Sequence, residues 1–226
     1  MNLLHGESRH QIARRRKIDF ALHLLFAAAT SVGVIALCAL LIDIMIDGIG
    51  RLRPELFEHF PSRQADRAGM KSAIVGSLYM LCIMLPISFV LGVGAAIWLE
   101  EYAGRNRFTR LIRLNISTLA GVPSIVYGIL GLTLFVRLLM LQRSLLAGAL
   151  TMTILVLPII IVSAQEALRA VPKSRRDASY ALGANRWQTV SRAVLPSAMP
   201  GILTGVILAM SRAIGETAPL IMIGAL

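Results

Sequence analysis

The sequence predicts an all-α, polytopic membrane protein with about five membrane-spanning helices. Three observations predict this fold class. Hydrophobic residues make up 56% of the 226 residues and the mean hydropathy is +0.72, well above the values typical of a soluble domain. Only 15% of the residues are charged, and these are gathered in blocks. Between the blocks lie apolar runs of the roughly 20 residues that a helix needs to cross a bilayer.

The spans follow from the alternation of apolar runs and polar breaks along the chain. A tail over 1–19, which ends in the basic run Arg14–Lys17, precedes a first span over 20–47. A polar loop over 48–71, with glycines and prolines that break helices, leads to a domain over 72–226. The further spans in that domain are predicted at 72–99, 114–136, 144–163 and 196–226, with a polar stretch over 164–195.

Lysine and arginine are divided unequally between the two sides of the predicted membrane. Fifteen fall in the tail, in the loop after the second span and in the stretch 164–195, against seven in the other two loops. Because basic loops stay in the cytoplasm, we expect the N-terminus and 164–195 to be cytoplasmic and 48–71 periplasmic. The net charge of +11 has the same origin, and no basic–aromatic pattern points to nucleic acid.

Residues that would support catalysis or hold a cofactor are not grouped in the sequence. Cys38 and Cys82 lie in apolar runs without CxxC spacing, and the four histidines are scattered, so neither a disulfide nor a metal site is predicted. No G-x-x-x-x-G-K-[ST] motif occurs, so we do not expect this chain to bind ATP itself. We predict no catalytic residue, no metal and no cofactor on this chain.

The polar stretch between the last two spans is too long for a bare connection. Pro172 and Gly183 are suited to the start and the stop of a short helix, and a second short helix follows through Trp187. This predicts a helix–turn–helix at the membrane surface. It either anchors the neighbouring spans as an amphipathic pair or docks a partner, with Tyr180, Leu182 and Trp187 as anchors.

The spacing D-A-S-x3-G-x11-L-P, which runs from Asp177 to Pro196, resembles a loop of bacterial ABC importer permeases. The family pattern is E-A-A-x3-G-x9-I-x-L-P, from which Asp177, Ser179 and Ala193 depart mildly. The strings GVPSIVYGILGL (121–132) and RAIGETAPL (212–220) resemble the permeases of phosphate importers, and among these the A-type subunit best. Since that family continues through a sixth span, we expect the last span to be missing from this chain.

This resemblance implies a type I ABC importer permease fold in the bacterial inner membrane. It also implies a second, related permease, ATP-binding subunits that hold the ATP, and a periplasmic phosphate-binding protein that delivers inorganic phosphate. In that family the loop is a coupling helix that sits in a cleft of the ATP-binding subunit. The residues that match it here are Asp177, Ala178, Ser179, Ala181, Leu182, Gly183 and Trp187.

Two charges, Arg212 and Glu216, lie within the otherwise apolar fifth span. At positions i and i+4 their side chains are close enough to pair, and an unpaired charge inside a bilayer costs about 3 kcal/mol or more. One interpretation is an ion pair that only fixes helix packing. In the other, Arg212 faces the translocation path and donates to a phosphate oxygen, while Glu216 holds it in position. We predict Arg212, Glu216 and Thr217 as path residues.

Glycine and proline predict where the spans bend and where they pack. Gly215 and Pro219 flank Glu216 and predict an interruption of the last helix. Pro123 predicts a bent third span. Gly201 and Gly205 form a GxxxG pattern, which favours close packing against another helix.

Two alternative functions are compatible with the sequence. In the first, the chain is the partner permease of the same importer or a permease for another oxyanion such as molybdate. An alternative of a different class is a membrane-embedded sensor or enzyme without transport activity. That class predicts no ATP-hydrolysing partner.

Overall fold

The computed structural model of the chain describes residues 4–50, 52–64, 68–104 and 106–224. Within these residues every regular element is a helix. Four helices in these described ranges are long and apolar enough to cross a membrane, and a bent pair of helices adds a fifth crossing if it is counted as one span. The predicted all-α, polytopic class is confirmed. The chain divides into two compact units, 1–71 and 72–226.

The first unit is dominated by one long helix, α1 (Leu4–Ile49). None of its most apolar 18-residue window is buried within the described part of the chain. Residues 4–19 of the predicted tail are helical and continue into the first span, because this stretch holds good helix formers and no proline. A single turn, α2 (Glu55–Glu58), follows.

The helices of the second unit include three that continue through a wider, π-helical turn. They are, in chain order, α3 (Lys71–Ile97, continuing over Trp98–Tyr102), α4 (Arg107–Leu119), α5 (Ser124–Gly131, continuing over Leu132–Leu138), α6 (Leu145–Arg169), α7 (Lys173–Ala181), α8 (Arg186–Thr189, continuing over Val190–Val194), α9 (Leu195–Ile214) and α10 (Ala218–Ile223).

The core of the second unit is built around α6. Of its most apolar window 61% is buried, the highest share of the four candidate spans. It packs against α9, α5, α4 and α10. Gly205 lies against the Ser163 side chain, and a Cβ on Gly201 would stand 3.0 Å from the Cβ of Ala167. The close packing predicted from the GxxxG pattern is confirmed, and α6 is the partner helix.

The third predicted span, over 114–136, is two helices rather than one. α4 and α5 meet at 103°, across a break between residues 119 and 124. Pro123 adopts an extended ψ of 135° and has no N–H to donate to a helix hydrogen bond. α4 therefore ends before Pro123. The buried Tyr127 hydroxyl donates to the Leu119 carbonyl at 2.8 Å and ties the corner together.

The start of the span predicted over 196–226 needs correction. Toward its start it continues through the π-helical turn back to Arg186, and this wider turn gives the Pro196 ring room beside the carbonyls that precede it. Toward its end α9 stops at Ile214, with Gly215 as its C-cap, and α10 begins at Ala218. The interruption predicted around Glu216 is confirmed.

Candidate functional site

The first predicted site is a hairpin of two short helices, which we call the α7–α8 hairpin (residues 173–189). α7 ends where Gly183 adopts a φ of +80°, a conformation that glycine reaches without strain. The Gly183 and Ala184 amides then bond to the carbonyls of Tyr180 and Ser179. α8 begins at a capping box, in which Asn185 and Gln188 exchange side-chain and backbone bonds of 2.8 and 2.9 Å. The predicted helix–turn–helix, with its stop at Gly183, is confirmed.

The turn of this hairpin exposes large apolar side chains. Leu182 is 90% exposed and Trp187 is 67% exposed, and Tyr180 is exposed as well. Of the other predicted residues, Asp177, Ala178, Ala181 and Gly183 are on the surface. Ser179 is the exception: it is half-buried, and its hydroxyl bonds to that of the buried Thr189 at 2.9 Å, which fastens α7 to α8.

A shallow groove of about 550 Å³ lies beside the hairpin, between α7 and the start of α9. Arg175 and Arg192 line it together with Ala178, Leu182 and Pro196. The surface next to the exposed turn is therefore positively charged and partly apolar.

An ion-pair network at the same end of the unit was missed by sequence reasoning. Glu100, in the last turn of α3, pairs with Arg113 of α4 at 2.7 Å and with Arg169 of α6 at 3.1 Å. Its neighbour Glu101 pairs with Arg176 of α7 at 2.7 Å. A signal was present: two glutamates directly follow an apolar span, and the next loop and the stretch 164–195 place arginines on the same predicted side of the membrane.

The ion pairs at this end of the unit, which we call the basic end, therefore join four helices, α3, α4, α6 and α7. Arg113 also donates to the Leu99 carbonyl, and Arg186 of α8 lies over the Tyr102 ring, 5.2 Å from its centroid. The α7–α8 hairpin is thus fixed to the end of α3 as well as to its covalent neighbours.

The second predicted site is Arg212 with Glu216. The Arg212 Nε and Glu216 Oε1 atoms are 3.4 Å apart, so the predicted pairing is confirmed. The pair is not on one regular helix face, because Glu216 and Thr217 lie in the break between α9 and α10. The Arg212 side chain is 54% exposed and that of Glu216 is 19% exposed. Thr217 is exposed too. The arginine is therefore accessible from outside this subunit.

The depth of this pair follows from the helices around it. Ala213 and Ile214 line a small cavity together with Met152, which stands seven residues after the start of α6. At 1.5 Å per residue, Met152 lies about 10 Å along α6 from Leu145, at the end opposite the basic end. Arg212, which precedes Ala213, lies at about the same depth. Along α9 it is about 25 Å from Leu195. The structure therefore separates the two predicted sites and joins them by one helix.

Within the part of the chain that the structure describes, no three His, Cys, Asp or Glu side chains are arranged to hold a metal ion. Cys38 and Cys82 are both exposed free thiols.

Comparison with known sequences gives one family and a set of named relatives. The family described as "Binding-protein-dependent transport system inner membrane component" matches residues 88–226. The probable ABC transporter permease protein YqgI of Bacillus subtilis (strain 168) is 38% identical over 84% of this chain and 67% of its own length.

Two further relatives are named as phosphate permeases. The phosphate transport system permease protein PstA of Xylella fastidiosa (strain Temecula1) is 33% identical over 95% of this chain and 75% of its own length. PstA 1 of Mycobacterium tuberculosis (strain H37Rv) is 39% identical over 69% of this chain. The match covers 50% of that relative, so the chain spans from about half to three quarters of the lengths of these relatives.

A solved structure shares the fold. A chain of the MetNI methionine ABC transporter superposes with a TM-score of 0.57, over 63% of this chain and 68% of its own. Sequence identity is 20%, so this likeness concerns the fold alone.

Proposed function

The chain belongs to the family of binding-protein-dependent transport system inner membrane components, and we propose that it is the A-type permease subunit of an ATP-driven phosphate importer. The relatives named as phosphate transport system permeases support phosphate as the substrate and PstA as the type of subunit. In this proposal the chain forms part of the translocation path, and ATP is bound and hydrolysed on other subunits.

The α7–α8 hairpin is the observation that carries the proposal. α7 has no buried residue, and its sequence KSRRDASYA lacks Leu, Ile, Val and Phe. A helix that only anchors spans in the membrane interface needs an apolar face, so this composition favours docking to a protein. The exposed Leu182 and Trp187 supply the apolar contact, as anchors in a cleft of an ATP-binding subunit do.

The partners follow from this assignment. The proposed transporter contains this chain, a second permease subunit, ATP-binding subunits that contact the hairpin, and a phosphate-binding protein on the opposite side of the membrane. The basic end then faces the cytoplasm, together with the N-terminus, because that side carries fifteen of the lysines and arginines.

The two sites have connected roles in this mechanism. When ATP draws the ATP-binding subunits together, the α7–α8 hairpin moves and displaces α9, which begins in the same continuous helix as α8. Arg212 then offers its donors to phosphate in the path. Its contact with Glu216 is long, and phosphate replaces Glu216 as the partner of the guanidinium, so the charge of Arg212 is not left unpaired when the pair opens.

Uptake of labelled inorganic phosphate tests the role of Arg212. We expect Arg212→Ala to lower the rate about tenfold or more, since a hydrogen bond to a charged group contributes about 1.5–3 kcal/mol. Ser211→Ala, which alters the neighbouring exposed residue, serves as the control and should import normally. Normal import by Arg212→Ala, with the protein inserted in the membrane, would remove Arg212 from the path. Competition by molybdate distinguishes phosphate from other oxyanions.

A further inference from the structure

We propose that Arg176 and Glu101 form the link through which the α7–α8 hairpin moves the end of α3. This inference rests on the proposed function, because it takes the hairpin to be displaced by an ATP-binding subunit. It adds a positioning pair outside the matched coupling residues, and it names a second helix, besides α9, that follows the hairpin.

Arg176 is placed to join three elements. Its Nη2 atom lies 2.7 Å from Glu101 Oε1 on the last turn of α3 and donates to the Leu168 carbonyl at 2.9 Å. Its Nη1 atom donates to the Val171 carbonyl at 2.7 Å. One planar guanidinium on α7 therefore binds α3 and the end of α6 simultaneously, which fixes its orientation.

Burial makes this pair stiffer than a surface ion pair. The Arg176 side chain is 20% exposed and that of Glu101 is 10% exposed. In the nearby pair of Arg169 and Glu166, by contrast, the side chains are 42% and 65% exposed. An exposed pair contributes little and exchanges readily with water, whereas parting a largely buried pair leaves charges that water reaches only in part. The Arg176–Glu101 pair therefore resists separation when α7 is displaced.

The end of α3 is fastened in the same region. Glu100 binds Arg113 of α4 and Arg169 of α6, while Arg186 of α8 covers the Tyr102 ring. The chain connects the hairpin directly to α6 and α9, whereas the contacts at Glu101 and Tyr102 connect it non-covalently to α3. A displacement of α7 is thereby transmitted to α3 without passing through α9.

The first test is a double-mutant cycle in the complete transporter, reconstituted with unaltered partner subunits. Glu101→Gln, Arg176→Gln and the double variant are compared for phosphate imported per ATP hydrolysed, counted per assembled complex. We expect each single variant to lower this ratio at least about fivefold, the lower range of allosteric coupling. The double variant should import as much phosphate per ATP as either single variant, because each single substitution already removes the same ion pair.

Glu166→Gln is the matched control, since it removes an exposed ion pair at the same end of α6 without touching α7. It should leave the ratio unchanged. Unchanged ratios in Glu101→Gln and Arg176→Gln would overturn the link while leaving the proposed function standing. An unaltered chain that neither assembles with an ATP-binding subunit nor imports phosphate would instead overturn the proposed function.

A covalent crosslink between positions 101 and 176 tests the link without depending on the strength of the ion pair. Glu101→Cys and Arg176→Cys are combined in a chain whose Cys38 and Cys82 are replaced by serine, and the two thiols are joined with a short bifunctional reagent. If α7 and the end of α3 move together, joining them restores the import per ATP that the cysteine pair has lost. If joining arrests import, the two helices part during the cycle and the proposal is wrong.

Discussion

Single atoms decide how closely the helices of the second unit approach one another. A Cβ on Gly128 of α5 would stand 2.9 Å from the Cα of Pro219 in α10, a backbone atom that cannot rotate away. Gly94 of α3 is the opposite case, because nothing lies within 4 Å of its would-be Cβ. The same residue type therefore has a packing role in one helix and none in the other.

This contrast predicts the effect of one methyl group. Gly128→Ala should lower the free energy of unfolding by about 1–3 kcal/mol, because α10 has to shift. Gly94→Ala should be neutral, or stabilising by up to about 1 kcal/mol, because alanine is the better helix former. Melting temperatures of the two variants in detergent check this. Equal melting temperatures would mean that α10 does not pack on α5 as the structure shows.

At the residue scale the sequence predicts what depends on local chemistry. Gly183 stops α7, and Arg212 reaches Glu216, because both effects involve residues a few positions apart. The pair of Glu101 with Arg176 lies beyond such reasoning, since 75 positions separate the two residues. Only the tertiary fold brings the end of α3 within reach of the Arg176 side chain.

At the scale of elements, apolar runs locate the spans but do not predict how sharply a span bends or where its helix begins. The GVPS segment predicts a bend, yet the turn of 103° between α4 and α5 follows from Pro123 combined with a tertiary contact. That contact is the Tyr127 hydroxyl on the Leu119 carbonyl. The start of the last span also escapes prediction, because a π-helical turn carries the helix past Pro196.

Removing the hydroxyl at the corner should therefore weaken it. Tyr127→Phe is expected to cost about 0.5–1.5 kcal/mol, the contribution of one neutral hydrogen bond, plus the penalty of an unpaired carbonyl. Thermal unfolding in detergent measures the loss. Tyr79→Phe removes an exposed hydroxyl from α3 and is the matched control. If both variants melt like the unaltered protein, the hydroxyl does not stabilise the corner.

At the scale of the whole molecule, the distribution of charge predicts the orientation in the membrane. Ala184 lies at the basic end, and Gln142 lies in the short loop at the other end of α6. In a chain whose Cys38 and Cys82 are replaced, we expect Gln142→Cys to react with an impermeant thiol reagent added outside cells. Ala184→Cys should react only after the membrane is opened. The reverse pattern of labelling would contradict the orientation.

The molecule as a whole also separates its two sites. The hairpin that is proposed to contact a partner lies at one end, and the arginine that is proposed to bind the cargo lies about 25 Å along α9 from Leu195, where that helix begins. This arrangement suits a subunit that receives motion at one surface and uses it inside the membrane. Transport in this mechanism therefore depends on what the hairpin contacts.

Co-purification of the ATP-binding subunit with a variant of the hairpin turn measures this contact directly. Leu182→Asp places a charge on a side chain that is 90% exposed, so folding should not change. Leu138→Asp does the same at a 70% exposed position toward the other end and is the control. We predict that Leu182→Asp loses the ATP-binding subunit and phosphate uptake, while Leu138→Asp retains the subunit. Full retention of the subunit and of uptake by Leu182→Asp would contradict the account.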